Sequence, residues 1–310
     1  MKKTLTIIGP TASGKTSLCV DLAQKLNGEV IGLDSRQIYK GMPIGTAQPT
    51  HTEMKGIPHH LFGFQDPSKP ISAGQYADQV IEKCQQILSV GKTPILCGGA
   101  GLYFRALTQG IFAGSVSNLH LRGRLEQAYE DDPVSLYERL QTIDPDYCKI
   151  VHINNKKRLV RALEIFEATG ISPSEHFRNQ KNQSLNILPV FSFLLNYDRS
   201  KLVNRIEKRT KEMFAKGWIA EVEYLLKQQN ESGQLFPALN SIGYRQIKSY
   251  LDGAMSYQEM EEDIVIRTRQ YARRQMQWFR KESIDINVVL DHLEISTLPE
   301  IVHDIFSHCQ

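Results

Sequence analysis

The chain has 310 residues, 41% of them hydrophobic and 23% charged, with 37 Lys and Arg against 34 Asp and Glu for a net charge of +3. Those fractions exclude a disordered or collagen-like polymer, and no apolar run reaches the length of a membrane span. Five cysteines without C-x-x-C pairing or metal-ligand spacing exclude a disulfide scaffold and a structural zinc site, so reduced thiols in a cytoplasmic protein are expected.

Met1-Lys2-Lys3 runs straight into the β-branched stretch Thr4-Leu5-Thr6-Ile7-Ile8, which predicts a first strand and leaves no room for a signal peptide. Gly9-Pro10-Thr11-Ala12-Ser13-Gly14-Lys15-Thr16 follows, and then Leu18, Leu22 and Leu26 at helical spacing. This is G-x-x-x-x-G-K-S/T between a strand and a helix, the setting a phosphate-binding loop requires. Its backbone N–H groups converge, and the helix N-terminus adds the positive end of its dipole. Lys15 contributes a charge, and the Thr16 hydroxyl is placed to ligate Mg²⁺. The loop holds a chain of phosphates, but the motif leaves ATPase, GTPase, small-molecule kinase and diphosphate-releasing chemistry open.

Glu29–Leu33 reads as a second strand ending at Asp34. Ligands of open α/β sheets lie beyond the carboxyl ends of strands, so Asp34, Ser35, Arg36 and Gln37 are expected on the rim that carries the loop. A helix N-cap explains Asp34 equally well. Residues 41–72, rich in Gly, Pro and His, read as a long ordered loop, and His59-His60 lack the helical spacing of metal ligands. A helix is predicted over Ala73–Val90 and a buried strand over Thr93–Cys97. Gly98-Gly99-Ala100-Gly101 ends that strand, allowing either close approach to a ligand or tight packing.

From 114 to 183 only helices are predicted, over Leu119–Asp131, Val134–Thr142 and Lys156–Ala168. Strand chemistry returns at Asn186–Leu195. The next helix, Arg199–Lys216, sets Arg209 beside an apolar stripe of Leu202, Ile206 and Met213, where a half-buried cation wants an anion. Ile264–Lys281 is a second amphipathic helix, with Arg267, Arg269, Arg273, Arg274, Arg280 and Lys281 on one half and no acid among those residues. Clustered arginines of this kind suit polyphosphate or nucleic acid. A last strand, Ile286–Leu290, and a short helix close the chain. The expectation is therefore an α/β, P-loop NTPase-like parallel sheet flanked by helices. Residues 1–113 form the first part of its core, 114–183 a mostly helical insertion, and 184–310 the remainder with its basic C-terminal helices.

Several stretches together resemble the tRNA dimethylallyltransferases, also called tRNA isopentenyltransferases. They are Gly9–Thr16, Asp34–Ala47, Gly98–Tyr103, Lys157-Arg158-Leu159-Val160-Arg161-Ala162-Leu163-Glu164 and Ile242-Gly243-Tyr244-Arg245-Gln246, spread in order over nearly the whole chain. The resemblance implies transfer of a five-carbon prenyl group from dimethylallyl diphosphate to N6 of adenosine 37, beside the anticodon. It implies that Gly9, Pro10, Thr11, Ala12, Ser13, Gly14, Lys15, Thr16 and Arg209 hold the diphosphate, with Mg²⁺ on Thr16. Asp34 is implied as the base on the adenine amino group, with Thr11, Lys15 and Arg209 the other catalytic groups. Contacts to the tRNA anticodon stem-loop are implied for Asp34, Ser35, Arg36 and Gln37, for Ala100 and Arg122, for Lys157, Arg158, Leu159, Val160 and Arg161, and for Asn240, Ser241, Ile242, Gly243, Tyr244 and Arg245. A monomer without membrane association is expected. The chain departs from the family at Ala100, where Thr is usual, at Gln48, where Lys is usual, and at Phe64-Gln65, which replace a more acidic pattern.

Three other readings share parts of this pattern. A small-molecule kinase would use the same loop on ATP with the basic helices as a lid, though the insertion and the Asp34 motif then lack a purpose. A prenyltransferase acting on free AMP leaves the basic surface unused, and a non-catalytic RNA-binding protein leaves the phosphate loop unused.

Overall fold

The computed structural model describes residues 3–110, 119–181 and 187–309. The expected boundaries at 113/114 and 183/184 and the first residue of the predicted strand at Asn186 lie outside those residues. The chain divides into two compact units, one of Met1–Ile71, Tyr76–Thr108 and Leu188–Gln310, the other of Ser72–Gln75 and Gln109–Ile187.

The first unit is built on a sheet of six parallel strands: β1 (Thr4–Ile8), β2 (Gly28–Leu33), β3 (His59–His60), β4 (Thr93–Gly98), β5 (Val190–Asn196) and β6 (Ile286–Val289). Their order is β3-β2-β4-β1-β5-β6. A parallel sheet is covered on both faces, so its strands read as unbroken apolar runs rather than alternating ones. Every residue of β1 and β2 is buried accordingly. β5 begins at Val190 rather than Asn186, just after Pro189, which has no N–H to contribute to a ladder. Leu5, Ile7, Leu22, Ile95, Phe193, Val302 and Phe306 lie in one core that joins the strands to helices α1 (Lys15–Lys25) and, at the C-terminus, Leu298–His308.

Register decides what the rim carries. Ile8 is level with Gly98 and with Leu194, and Leu33 is level with Gly98. The residues that follow β1, β2 and β4 therefore leave the sheet side by side, bringing Gly9, Asp34 and Gly99 to one edge.

The stretch 41–72 is more ordered than its composition suggests. It holds α2 (His51–Met54), started by a capping box between Thr50 and Glu53, and β3, which pairs Val30 with His59 and Ile31 with His60. His60 Nε2 meets Glu29 Oε2 at 2.6 Å and His59 Nδ1 meets the Ile57 carbonyl at 2.8 Å. Helix α3 (Ala73–Ser89) matches its periodicity, and Gly101 opens α4 (Gly101–Gln109), so Leu102-Tyr103-Phe104 are its first turn.

The second unit is helical in all its described elements beyond that point: α5 (Leu119–Asp131), α6 (Pro133–Ile143), α7 (Pro145–Cys148), α8 (Lys156–Thr169) and α9 (Pro173–Lys181). Asp132 caps α6 through the N–H groups of Val134 and Ser135, and Asn155 caps α8 through that of Arg158. Leu125, Leu136, Leu140, Leu159 and Leu163 fill its core.

Back in the first unit, α10 (Arg199–Ala215) is followed by α11 (Trp218–Ser232) and α12 (Tyr244–Leu251), two helices absent from the sequence reading. Then comes α13 (Tyr257–Phe279). It starts seven residues before the predicted Ile264, because Ser256 and Glu259 form a capping box. Leu298–His308 is α14.

Candidate active site

Two residues of the phosphate loop adopt the left-handed conformation, Ala12 at φ 64° and Gly14 at φ 90°. Gly14 is also the residue from which α1 starts. The Lys15 ammonium curls back over its own loop, donating to the Pro10 carbonyl at 2.6 Å and approaching Ser13 Oγ at 3.3 Å. Burial lowers its pKa to about 8; the nearby Arg209 charge pushes the same way, while Cys97 and Asp34 partly offset both.

Helix α10 grips this loop with two arginines. Arg209 Nη1 donates to Thr11 Oγ1 at 3.0 Å, and Arg205 Nε donates to the Ala12 carbonyl at 2.7 Å. Arg209 is half-buried, as its place beside the apolar stripe predicts, and burial pulls its pKa down against the opposing charge of Asp34.

Asp34 serves the local turn and the rim at once. Its Oδ1 accepts from Arg36 N at 2.7 Å and from Gln37 N at 3.3 Å, closing a turn; no helix begins there, so the N-cap explanation of Asp34 does not hold. Its charge also supports the protonated forms of Lys15 and Arg209 and raises the pKa values of Tyr103 and Tyr271, in both of which burial is the larger cause. Lys15, Arg209 and Asp34 therefore form one electrostatic group: the strand register brings Asp34 to the loop's edge, and α10 brings Arg209.

Behind Asp34 the stretch Ile44–Ala47 is clamped from two sides. Gln37 Nε2 donates to the carbonyls of Thr46 (3.2 Å) and Ala47 (2.6 Å). Glu221 on α11 accepts from Ile44 N at 2.7 Å, from Gly45 N at 3.0 Å and from the Tyr244 hydroxyl at 2.6 Å. The Trp218 ring occupies the space a side chain on Gly45 or Gly243 would need, 1.9 Å from either Cβ position. Glu221→Ala should leave two backbone N–H groups and the Tyr244 hydroxyl without their acceptor, costing about 2–4 kcal/mol and lowering the melting temperature by several degrees. Chemical denaturation with an unchanged midpoint would contradict this account of the clamp.

Gln275 on α13 is a contributor the sequence reading did not single out. Its Oε1 accepts from Thr11 N at 2.9 Å, and its Nε2 donates to the Gly99 carbonyl at 2.9 Å. A Cβ on Gly99 would lie 2.3 Å from that Nε2, one on Gly98 2.0 Å from the Leu33 carbonyl oxygen, and one on Gly101 2.2 Å from Trp278. Of the two explanations for this glycine run, tight packing is the one the structure displays. The available signal was a buried polar residue among the apolar positions of a basic helix.

Ser35 is half-buried and Arg36 exposed; Ala100 is buried, its N–H bonded to the Leu33 carbonyl. Gln48 donates to the Tyr39 carbonyl at 2.8 Å. On α8, Lys157 and Arg158 are exposed while Leu159 and Val160 are core residues. Arg161 and Arg122 both pair with the buried Glu164 carboxylate, at 2.7 and 2.8 Å. Burial works to raise Glu164, and the two guanidinium groups outweigh it and hold it below its ordinary value. Of Asn240–Arg245, the side chains of Asn240 and Arg245 are exposed and that of Ile242 half-buried, whereas Ser241, Gly243 and Tyr244 are buried. On α13, Arg273 and Arg274 are exposed, as is Arg280 just past its end, and Arg267 pairs with Asp263.

The IPP transferase family model matches residues 37–282. Similar proteins include the tRNA dimethylallyltransferase of Acetivibrio thermocellus, 40% identical over 286 residues that cover 91% of this chain and 90% of that protein. That of Petrotoga mobilis is 40% identical over 281 residues, 91% of each. Among solved structures, the full-length tRNA isopentenylpyrophosphate transferase of Bacillus halodurans superposes with a TM-score of 0.70 at 33% identity, covering 99% of this chain and 96% of that one. A eukaryotic dimethylallyltransferase acting on tRNA gives 0.84 at 29% identity, covering 99% and 80%.

Proposed function

The chain belongs to the IPP transferase family, and on that premise we propose that it moves a dimethylallyl group from dimethylallyl diphosphate to N6 of the adenosine beside the anticodon of tRNA, releasing diphosphate. The observation that carries this reading is the shared rim, where Asp34 lies within electrostatic reach of Lys15 and Arg209. Breaking the allylic C–O bond builds negative charge on the departing diphosphate and positive charge on the prenyl carbon. Lys15, Arg209 and the backbone N–H groups of the loop stabilise the former. The adenine amino group is a poor nucleophile, its lone pair being delocalised into the ring, and Asp34 orients it and accepts its proton. The base must leave its stack to reach the rim. Exposed cations such as Lys157, Arg158, Arg273 and Arg274 suit the RNA backbone.

Mg²⁺ fits this arrangement. Among the described residues no three His, Cys, Asp or Glu side chains gather into a metal cage. Mg²⁺ takes few protein ligands and fills its shell with phosphate oxygens and water, so Thr16 is a sufficient anchor. When bound it neutralises charge on the leaving diphosphate.

The depressed Lys15 pKa gives a pH signature. Between about 8 and its ordinary 10.5, the free folded protein holds Lys15 neutral while the unfolded chain holds it charged. The unfolded state thus binds more protons in that window, and this group's contribution to stability grows as pH rises. Donor binding restores the charge, so it should take up a proton there, and the donor KM should climb above pH about 8. Calorimetry in buffers of different ionisation enthalpy measures the uptake; none at pH about 9 would contradict the assignment.

The reading as a whole is tested by supplying the protein with an anticodon stem-loop and either labelled dimethylallyl diphosphate or labelled ATP. Label should reach the RNA from the prenyl donor alone. Transfer from ATP to a small acceptor, with none from the prenyl donor, would make the chain a kinase.

A further inference from the structure

Arg205 stands one helical turn before Arg209, on the same face of α10. Its Nε is committed to the Ala12 carbonyl, and its guanidinium lies 4.9 Å over the Tyr197 ring. Those two contacts fix the plane of the group. Its Nη2 is thereby held beside Gly14, 3.6 Å from where a Cβ on that residue would sit. Arg209 reaches the loop at Thr11. The two guanidinium groups therefore meet successive parts of the loop, Arg209 at Thr11 and Arg205 from Ala12 to Gly14.

Charge separates Arg205 from its neighbours. Lys201 on the same helix is paired with Asp291 at 3.1 Å. Among the described residues no carboxylate pairs with Arg205; its partners are a carbonyl and an aromatic face, and the side chain is open to solvent. Arg205 and Arg209 repel, and Arg209 in turn repels Lys15. Three cations thus crowd the loop, and Asp34, Glu53 and Glu212 are the acids in the field of Arg209. Among the described residues none of these carboxylates forms an ion pair with Lys15, Arg205 or Arg209, and an anion carrying several charges suits all three.

We propose that Arg205 is a second diphosphate-binding cation, completing with Arg209 a guanidinium pair that meets the leaving group at successive parts of the loop. This rests on the reading of the loop as a diphosphate cradle. The free Nη groups and the fixed plane give Arg205 the fork geometry that phosphoryl oxygens accept. The competing explanation is that Arg205 only fastens the loop through Ala12.

Two variants separate these. Arg205→Gln keeps a donor for the Ala12 carbonyl and removes the charge, while Arg205→Lys keeps the charge and loses the fork. Calorimetric titration with inorganic diphosphate, in the presence of Mg²⁺, should show binding weakened by about tenfold to a hundredfold in Arg205→Gln. Arg205→Lys should fall between the parent and Arg205→Gln, keeping what charge alone supplies and losing what the fork adds. The KM for dimethylallyl diphosphate should follow the diphosphate affinity, with kcat reduced by less than about threefold, because the missing charge acts on bound donor and departing diphosphate alike. Stem-loop affinity and melting temperature should hold. Diphosphate affinity equal to the parent's in Arg205→Gln would overturn the proposal, as would losses of stability and RNA affinity in step with it. If the parent protein neither binds diphosphate nor uses the prenyl donor, the cradle reading itself fails. If the parent does both and Arg205→Gln matches it, only the role of Arg205 falls.

Discussion

Asp34→Asn should lower kcat for prenyl transfer by roughly two to four orders of magnitude while leaving the affinity for the anticodon stem-loop within about twofold. Asparagine preserves the carbonyl oxygen that accepts from Arg36 N and Gln37 N, so the turn after β2 and the clamp on Thr46 and Ala47 remain. What disappears is the negative charge, and with it the acceptor for the proton on the adenine amino group. The same change removes one of the anions that offset Lys15 and Arg209, the one common to both. Binding of the prenyl diphosphate should therefore hold or tighten as turnover falls. That opposition between kcat and donor affinity is the mark of a base, because general damage to the site would weaken both. Single-turnover rates and donor affinity measured on the same preparation decide it. A kcat within about threefold of the parent's would remove Asp34 from the proton transfer and leave it only the turn after β2.

Arg209→Gln should reduce kcat/KM for the prenyl donor by roughly two to three orders of magnitude. The guanidinium is half-buried, close to Lys15 and hydrogen-bonded to Thr11, so it acts where solvent screens little. Charge on the diphosphate grows as the allylic bond breaks, which makes Arg209 more important to the transition state than to the bound donor. The larger part of the loss should accordingly fall on kcat, in contrast to the KM effect expected for Arg205. Lysine at position 209 should recover little, since a point charge on a flexible stem cannot bond to Thr11 and reach phosphoryl oxygens in the fixed geometry of a fork. Steady-state kinetics with the stem-loop saturating separate the two parameters. A loss confined to KM would show that Arg209 binds the donor without favouring its cleavage.

Much of this arrangement could be read from the chain because its signals are local. The phosphate loop is eight consecutive residues between a strand and a helix, and Asp34 follows an apolar run that ends where the sheet's rim begins. Arg209 betrayed itself by lying beside an apolar stripe. Gln275 and Glu221 did not, because the partners that give them meaning are 264 and 177 residues away, at Thr11 and Ile44. No periodicity records a contact of that range. β3 is two residues long and owes its existence to β2, so the histidines that form it looked like loop. Tyr244 shows the reverse limit. Its motif marked it for attention, yet its hydroxyl is bonded to Glu221 and its ring is buried, so it shapes the Ile44–Ala47 stretch from within.

The proposed reaction needs one shared centre, in which the loop after β1 releases diphosphate while the carboxylate after β2 directs an adenine at the prenyl carbon. Mass spectrometry of an anticodon stem-loop incubated with the protein, Mg²⁺ and dimethylallyl diphosphate tests this most directly. Fragmentation should place a single five-carbon group on the adenosine beside the anticodon, with one diphosphate released for each group added. Diphosphate released without any gain of mass in the RNA, or a gain of mass at another nucleotide, would contradict it.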